Sequence, residues 1–240
     1  MDYLLTYADR GFSGNPQDAG NDRTYSLDAL PQEFPCRLTG DFRSPVLDLV
    51  NADGSLGCDL RYQGYEICDG KYNLKGLPAV YAAEEEAQTL IIYMKDQVTG
   101  LQVELLYGVL PEYDVITRSA KVINTEEDKI RLTKAQAACI DFVHGEFDVI
   151  SFYGRHAMER NMQRTSVGHG AFVIGSRRGT SSHQYNPMMI LAEKETTEDA
   201  GTCYGMSFVY SGGFKAEVEK DQFGQTRMQT VSYTHLRAHE

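Results

Sequence analysis

Hydrophobic and polar positions alternate along most of the chain with a period of two residues. Leu101, Val103 and Leu105 are separated by polar side chains, and two-faced alternation also runs through 115–122 and 204–210. Successive side chains of a strand point to opposite faces of a sheet, so each stretch predicts a β-strand. No stretch carries an extended apolar stripe at helical spacing.

Short strand patterns recur through residues 46–150 and again through 171–228. Residues 155–166 are the one place where the spacing favours a short helix. Chains built from many short strands bury their apolar faces by stacking two sheets. The sequence therefore predicts an all-β fold, a large antiparallel β-sandwich (a supersandwich) with little helix.

Glycine and asparagine punctuate this pattern. Asp53-Gly54 lies between the apolar runs 46–50 and 58–62 and predicts a hairpin, because glycine tolerates the positive φ of a tight turn. Residues 10–24, which are rich in Gly, Asn, Asp and Ser, predict a long loop or arm.

Charge and composition exclude several partners. The net charge of −11 leaves no basic excess for nucleic acid or anionic lipid, so we expect neither as a partner. No apolar run approaches the roughly 20 residues that span a bilayer. Residues 1–5 lack the pattern of a secretory signal, and the five cysteines form no Cys-x-x-Cys pair. Reduced thiols in a cytoplasmic protein are the simplest interpretation.

The last ten residues, 231–240, break the strand pattern and resemble a translated sequencing-adapter tail. We expect them to be a non-native tail and the native chain to continue differently. His235 and His239 have the i, i+4 spacing of metal ligands, but both lie in this tail. The other histidines show no such spacing, so the sequence predicts neither a metal nor a cofactor.

Several motifs occur in order along residues 7–229. They are Asp9-Arg10-Gly11-Phe12-Ser13, Asp22-Arg23-Thr24-Tyr25-Ser26-Leu27-Asp28, Gln32-Glu33-Phe34-Pro35, Thr39-Gly40-Asp41-Phe42-Arg43, Arg177-Arg178-Gly179-Thr180-Ser181-Ser182-His183-Gln184 and Tyr204–Phe214. Together they resemble the N-terminal β-domain of bacterial α-galactosidases of glycoside hydrolase family 36. The resemblance implies that residues 1–230 are a partial N-terminal domain, truncated at both ends.

The same resemblance implies hydrolysis of terminal α-galactose from sugars such as melibiose and raffinose. Two carboxyl groups carry that reaction. In the family both catalytic aspartates lie on a (β/α)₈ barrel that follows this domain, and the nucleophile sits in a Lys-Trp-Asp motif. The chain contains no tryptophan. We therefore expect the barrel to be absent, assign no catalytic residue, and expect the chain to be inactive alone.

Asp9 is the first candidate binding residue. The resemblance implies that its carboxylate accepts hydrogen bonds from galactose, reaching the active site of a neighbouring subunit in a tetramer. Charged acceptors make the stronger hydrogen bonds to hydroxyl groups. The alternative is an aspartate that caps its own turn.

Tyr153 is the second candidate, in the segment Phe152-Tyr153-Gly154-Arg155. The family usually has a tryptophan here that stacks on the sugar, and a tyrosine ring offers a similar apolar face. An aromatic residue at the sandwich edge is the alternative. A Ser182–His183 nucleophile pair is rejected, because adjacent loop residues rarely present the required geometry and no orienting acid is evident.

These observations favour a domain that assists substrate binding and oligomer assembly in an α-galactosidase. Two other functions stay open, namely a stand-alone carbohydrate-binding sandwich and a purely structural oligomerisation domain. The partners expected are an α-galactoside and further copies of the parent protein.

Overall fold

A computed structural model describes residues 30–38 and 40–232. In chain order its strands are β1 (Leu47–Val50), β2 (Leu60–Asp69), β3 (Gln88–Asp96), β4 (Gln102–Leu110), β5 (Val115–Ile123), β6 (Arg131–Ala135), β7 (Ala138–Phe142), β8 (Phe147–Arg155), β9 (Met158–Ser166), β10 (Gly170–Thr180), β11 (Tyr185–Glu193), β12 (Cys203–Ser207), β13 (Gly212–Lys220) and β14 (Thr226–Ser232). Helical structure in these residues is limited to two 3-10 turns, Glu84–Glu86 and Pro111–Tyr113. The all-β prediction is confirmed.

The strands form three four-stranded antiparallel sheets and one two-stranded sheet. The four-stranded orders are β2-β3-β4-β5, β10-β13-β14-β7 and β12-β11-β8-β9, while β1 pairs with β6. Most neighbours in a sheet are also consecutive in sequence, as in antiparallel meanders joined by short turns. The predicted antiparallel β-sandwich is therefore confirmed.

Two hydrophobic cores hold the sheets together. One lies between the sheets that contain β8 and β13, with Val149, Leu191 and Phe214 at its centre. The other packs β1 against β4 and includes Leu47, Val103 and other residues of the same stretches. The alternation predicted at the start of β4 holds, since Val103 and Leu105 in the strand and Leu101 just before it are all buried. Burial of such side chains contributes about 1.5–3 kcal/mol each.

The predicted helix over 155–166 is wrong, because residues 158–166 form strand β9, which pairs with β8 along its length. Ala157 has φ +60° and Arg160 has φ +56°, and both values lie far from right-handed helix. Methionine and arginine at helix-like spacing misled the prediction. They are side chains of an exposed edge strand.

The predicted hairpin around Asp53-Gly54 is half right. The turn exists: Gly54 has φ +84° and its N–H donates to the Asn51 carbonyl at 3.0 Å. The flanking runs do not pair, however, because β1 pairs with β6 and β2 pairs with β3. Pairing follows the buried faces of the two strands, which belong to different sheets.

Candidate functional site

Tyr153 stands near the exposed end of a strand whose first half is core. In β8, Phe147, Val149 and Ser151 are buried, whereas Tyr153 is 44% exposed. Its register partners are Asn161 on β9 and Tyr185 on β11. The sheet therefore fixes the backbone of Tyr153 from both sides and leaves its ring accessible.

The backbone beside Tyr153 is held closely. Gly154 donates its N–H to the Gln184 carbonyl at 3.3 Å, and a Cβ added at Gly154 would lie 2.3 Å from the Met158 carbonyl oxygen. Only glycine permits this approach of β8 and β9. Asn161 adds a hydrogen bond from Nδ2 to the Tyr153 carbonyl at 3.4 Å. The position of the tyrosine is thus set by the backbone around it.

Ion pairs hold the base of the hairpin that β8 and β9 form. Asp148 accepts hydrogen bonds from Arg164 Nε and Lys194 Nζ, both at 2.8 Å, and from Ser166 Oγ at 2.9 Å. Burial alone would raise the pKa of Asp148, but these donors outweigh burial and lower its pKa to about 2. Asp148 is therefore a structural anion that anchors β8, β9 and the end of β11.

The segment Arg177–Gln184 meets the Tyr153 region through the Gln184 carbonyl. Its first residues continue β10, with a bulge at Gly179, and its last residues form the turn into β11. Ser181 donates its N–H to the Ser211 carbonyl at 2.7 Å, so two of the sequence motifs lie side by side. Ser182 Oγ accepts from the Gln184 N–H at 3.3 Å, and His183 is exposed.

Asp9, His235 and His239 lie outside the described residues, so their placement stays a prediction. Within residues 30–38 and 40–232, no three His, Cys, Asp or Glu side chains are grouped as metal ligands. No helix in that same part of the chain is long and apolar enough to cross a membrane. The five cysteines form no disulfide among the described residues, and Cys36, Cys58 and Cys139 are buried.

Three buried aspartates lie against two buried arginines. We call Asp41, Arg43, Asp141, Asp221 and Arg227 the arginine cluster. Arg227 donates to both Asp141 oxygens and to Asp41 Oδ2, each at 2.7 Å. Arg43 donates to Asp41 at 2.9 Å and lies 3.5 Å from Asp141 and 3.7 Å from Asp221.

The arginine cluster is a structural feature. Burial favours a raised pKa for Asp41, but the hydrogen bond from Arg43 and the charge of Arg227 prevail and lower it. A carboxylate kept ionised between two arginines cannot donate a proton as a general acid. The cluster ties residues 41–43 to β7 and β14, and sequence reasoning did not find it because its members are up to 186 positions apart.

A groove of about 630 Å³ opens elsewhere, between β5, β7, β12 and the chain that follows β12. Phe34, Arg118, Gln136, Phe208 and Thr230 are among its lining residues. Arg118 donates to the Cys139 carbonyl and to Glu33, and its guanidinium lies 4.9 Å from the centre of a tyrosine ring, that of Tyr107. Sequence reasoning did not find this groove, because its lining comes from six separate stretches of the chain.

Comparison with known proteins places the chain in a family. The profile of the "Glycosyl hydrolase family 36 N-terminal domain" matches residues 5–233. The bifunctional alpha-galactosidase/sucrose kinase AgaSK of Mediterraneibacter gnavus is 64% identical over 228 residues, which are 95% of this chain and 24% of that protein. Alpha-galactosidase Mel36A of Lactobacillus acidophilus is 45% identical over 92% of this chain and 30% of its own length.

Comparison with solved structures places the chain in the same family. The galactosidase domain of AgaSK superposes with a TM-score of 0.89 at 63% identity, covering 97% of this chain and 32% of that one. The AgaA α-galactosidase of Geobacillus stearothermophilus, crystallised with raffinose as an A355E D548N variant, gives a TM-score of 0.87 at 41% identity, again over 97% and 32%. The chain thus spans about a quarter to a third of these relatives. It belongs to glycosyl hydrolase family 36, and it corresponds to the N-terminal domain of that family's α-galactosidases.

Proposed function

We propose that the chain is the part of a longer α-galactosidase that helps to bind the sugar and to assemble the enzyme. The parent would release terminal α-galactose from galactosides such as melibiose and raffinose, by a two-carboxylate route with retention. Both catalytic carboxylates would come from sequence outside this chain. This domain would lower the Michaelis constant by holding the substrate, and it would not cleave the bond itself.

The placement of Tyr153 is the observation that carries the proposal. Its backbone is fixed on both sides by β9 and β11, and its ring is 44% exposed. A rigid, accessible aromatic face suits the C–H side of a galactose ring at small entropic cost. Asp9 would add a charged acceptor for the sugar hydroxyls. In a homo-tetramer, that acceptor would serve a neighbouring subunit.

The cysteines and the type of reaction indicate the compartment, cofactors and partners of the parent enzyme. Five cysteines without a disulfide among the described residues, three of them buried, fit a reducing compartment, and we propose the cytoplasm. No metal or other cofactor is needed for a two-carboxylate hydrolysis. The partners would then be the galactoside and further copies of the parent enzyme.

A chimera tests the binding role. Residues 5–233 would replace the matching part of the Mediterraneibacter gnavus enzyme, which is 64% identical. Stacking of about 0.5–1.5 kcal/mol predicts that Tyr153→Ala raises KM for raffinose about 2- to 10-fold, with kcat little changed. Tyr153→Phe should retain most of the affinity. Tyr65→Ala is the control, because Tyr65 is an exposed tyrosine on β2, an edge strand of another sheet.

Asp9→Ala in the same chimera should raise KM by about tenfold or more, because a charged hydrogen bond is lost. Light scattering on each variant checks whether the assembly is intact. A KM that neither substitution moves would leave the domain with a purely structural role.

A further inference from the structure

Three sheet edges meet at the groove described above. β5, β7 and β12 are each the last strand of a different four-stranded sheet. Each contributes to the lining, β5 over Val115–Ala120, β7 through Ala138 and Ile140, and β12 through Gly205–Ser207. The outer side of an edge strand carries backbone N–H and C=O groups that its own sheet leaves unpaired. A single groove bordered by three such edges is a place where backbone could be added.

The lining is mostly apolar but contains two unpaired polar side chains. Leu74, Val80, Ile116, Met206 and Phe208 are among its apolar members. The amide of Gln136 is 1% exposed, and neither its oxygen nor its nitrogen has a hydrogen-bond partner among the described residues. The hydroxyl of buried Thr230 also lacks one within that part of the chain. Each unpaired buried group costs about 1–3 kcal/mol.

We infer that the groove binds an extended polypeptide segment of the parent enzyme that lies outside this 240-residue chain. A strand added to an edge supplies backbone donors and acceptors every second residue and places apolar side chains between them. Those groups would pair with β5 and satisfy Gln136 and Thr230. The rest of the parent is the source because the solved relatives are about three times as long as the matched stretch.

A free sugar fits this groove less well. Its ring of hydroxyls would bury several polar groups against the apolar floor. The inference rests on the proposal that the chain works within a longer α-galactosidase. It concerns packing within that enzyme, so hydrogen exchange can test it without any measurement of hydrolysis.

Amide hydrogen exchange locates the added strand. The 240-residue chain and the chimera would be compared at equal concentration by exchange and mass spectrometry. In the chimera, we expect β5 amides to exchange at least about 100-fold more slowly than in the chain alone. β2 is the internal control, because it is the opposite edge of the same sheet and does not contribute to the groove. Its exchange should be the same in both proteins.

A matched pair of variants tests the position. Ile116 on β5 is 63% exposed and lines the groove, whereas Ile67 on β2 is 62% exposed and does not. Ile116→Asp should abolish the slow exchange of β5 in the chimera, because a buried charge at the new contact is costly. Ile67→Asp should leave it intact. In the chain alone, both variants should unfold at the same urea midpoint as the wild type.

Three results would overturn the inference. Equal exchange of β5 in the chain and the chimera would show that no segment of the longer enzyme is added. Protection that disappears on dilution to monomer would identify a second copy as the occupant. Equal effects of Ile116→Asp and Ile67→Asp would place the contact elsewhere. A chimera that protects β5 yet hydrolyses no galactoside would support the inference and refute the proposed function.

Discussion

The arginine cluster and the groove both bury polar side chains, but they treat them in opposite ways. In the cluster, Arg227 reaches two carboxylates through three hydrogen bonds of 2.7 Å. In the groove, the equally buried Gln136 amide finds no partner among residues 30–38 and 40–232. Both regions therefore bury polar side chains, and they differ in whether Arg227 and Gln136 find hydrogen-bond partners.

The difference separates structural from functional polarity. In the cluster the arginines are paired with Asp41 and Asp141, and these pairs hold residues 41–43 against β7 and β14. An unsatisfied amide at the floor of an apolar groove costs stability until another group binds there. In this chain, the groove rather than the arginine cluster is therefore the candidate interaction site.

Breaking the arginine cluster should give the largest effect on stability. Arg227→Met leaves Asp41 and Asp141 partly uncompensated and should lower the free energy of unfolding by about 3–5 kcal/mol. Arg61→Met is the control, because Arg61 pairs with Asp59 on the surface, with side chains 70% and 56% exposed. That loss should not exceed about 1 kcal/mol. Urea unfolding of the 240-residue chain measures both.

Equal losses for the two arginines would contradict the structural role of the cluster. If Arg227→Met does not fold, Arg227→Lys serves instead. It keeps the charge but cannot make the paired contacts to Asp141, so it should still cost more than Arg61→Met.

Two buried glutamines sharpen the comparison. Gln229 and Gln136 are each 1% exposed, but Gln229 Nε2 donates to the Ser44 carbonyl at 2.6 Å. In the chain alone, Gln229→Leu should cost about 1–3 kcal/mol, whereas Gln136→Leu should cost nothing or stabilise the fold. In the chimera, Gln136→Leu should become destabilising, because its amide would then be paired. A Gln136→Leu variant of the chain alone that loses as much as Gln229→Leu would show that the amide is already satisfied.

The fold class was predictable because it depends on local alternation. The pattern Leu101, Val103, Leu105 reports one buried face of β4, whatever the rest of the chain does. Strand pairing was harder to predict from the sequence. The run 46–50 pairs with residues 131–135, about eighty positions away, and no nearby signal indicates that choice. For 155–166, residue spacing competed with sheet pairing, and pairing with β8 won.

The sites also differ in how far local sequence predicts them. Tyr153 could be singled out because a motif surrounds it, and the structure adds how Gly154 and Asn161 hold its backbone. The arginine cluster and the groove could not, because each joins side chains from distant stretches whose meeting depends on the whole topology. Asp9 stays a prediction from resemblance alone.

Release of nitrophenol from p-nitrophenyl α-galactoside tests the central claim most directly. The claim is that this domain contributes binding and assembly, whereas cleavage requires carboxylates from the rest of the parent enzyme. We expect the purified 240-residue chain to release none above a blank, while the chimera turns over under the same conditions. Turnover by the 240-residue chain alone would contradict the account.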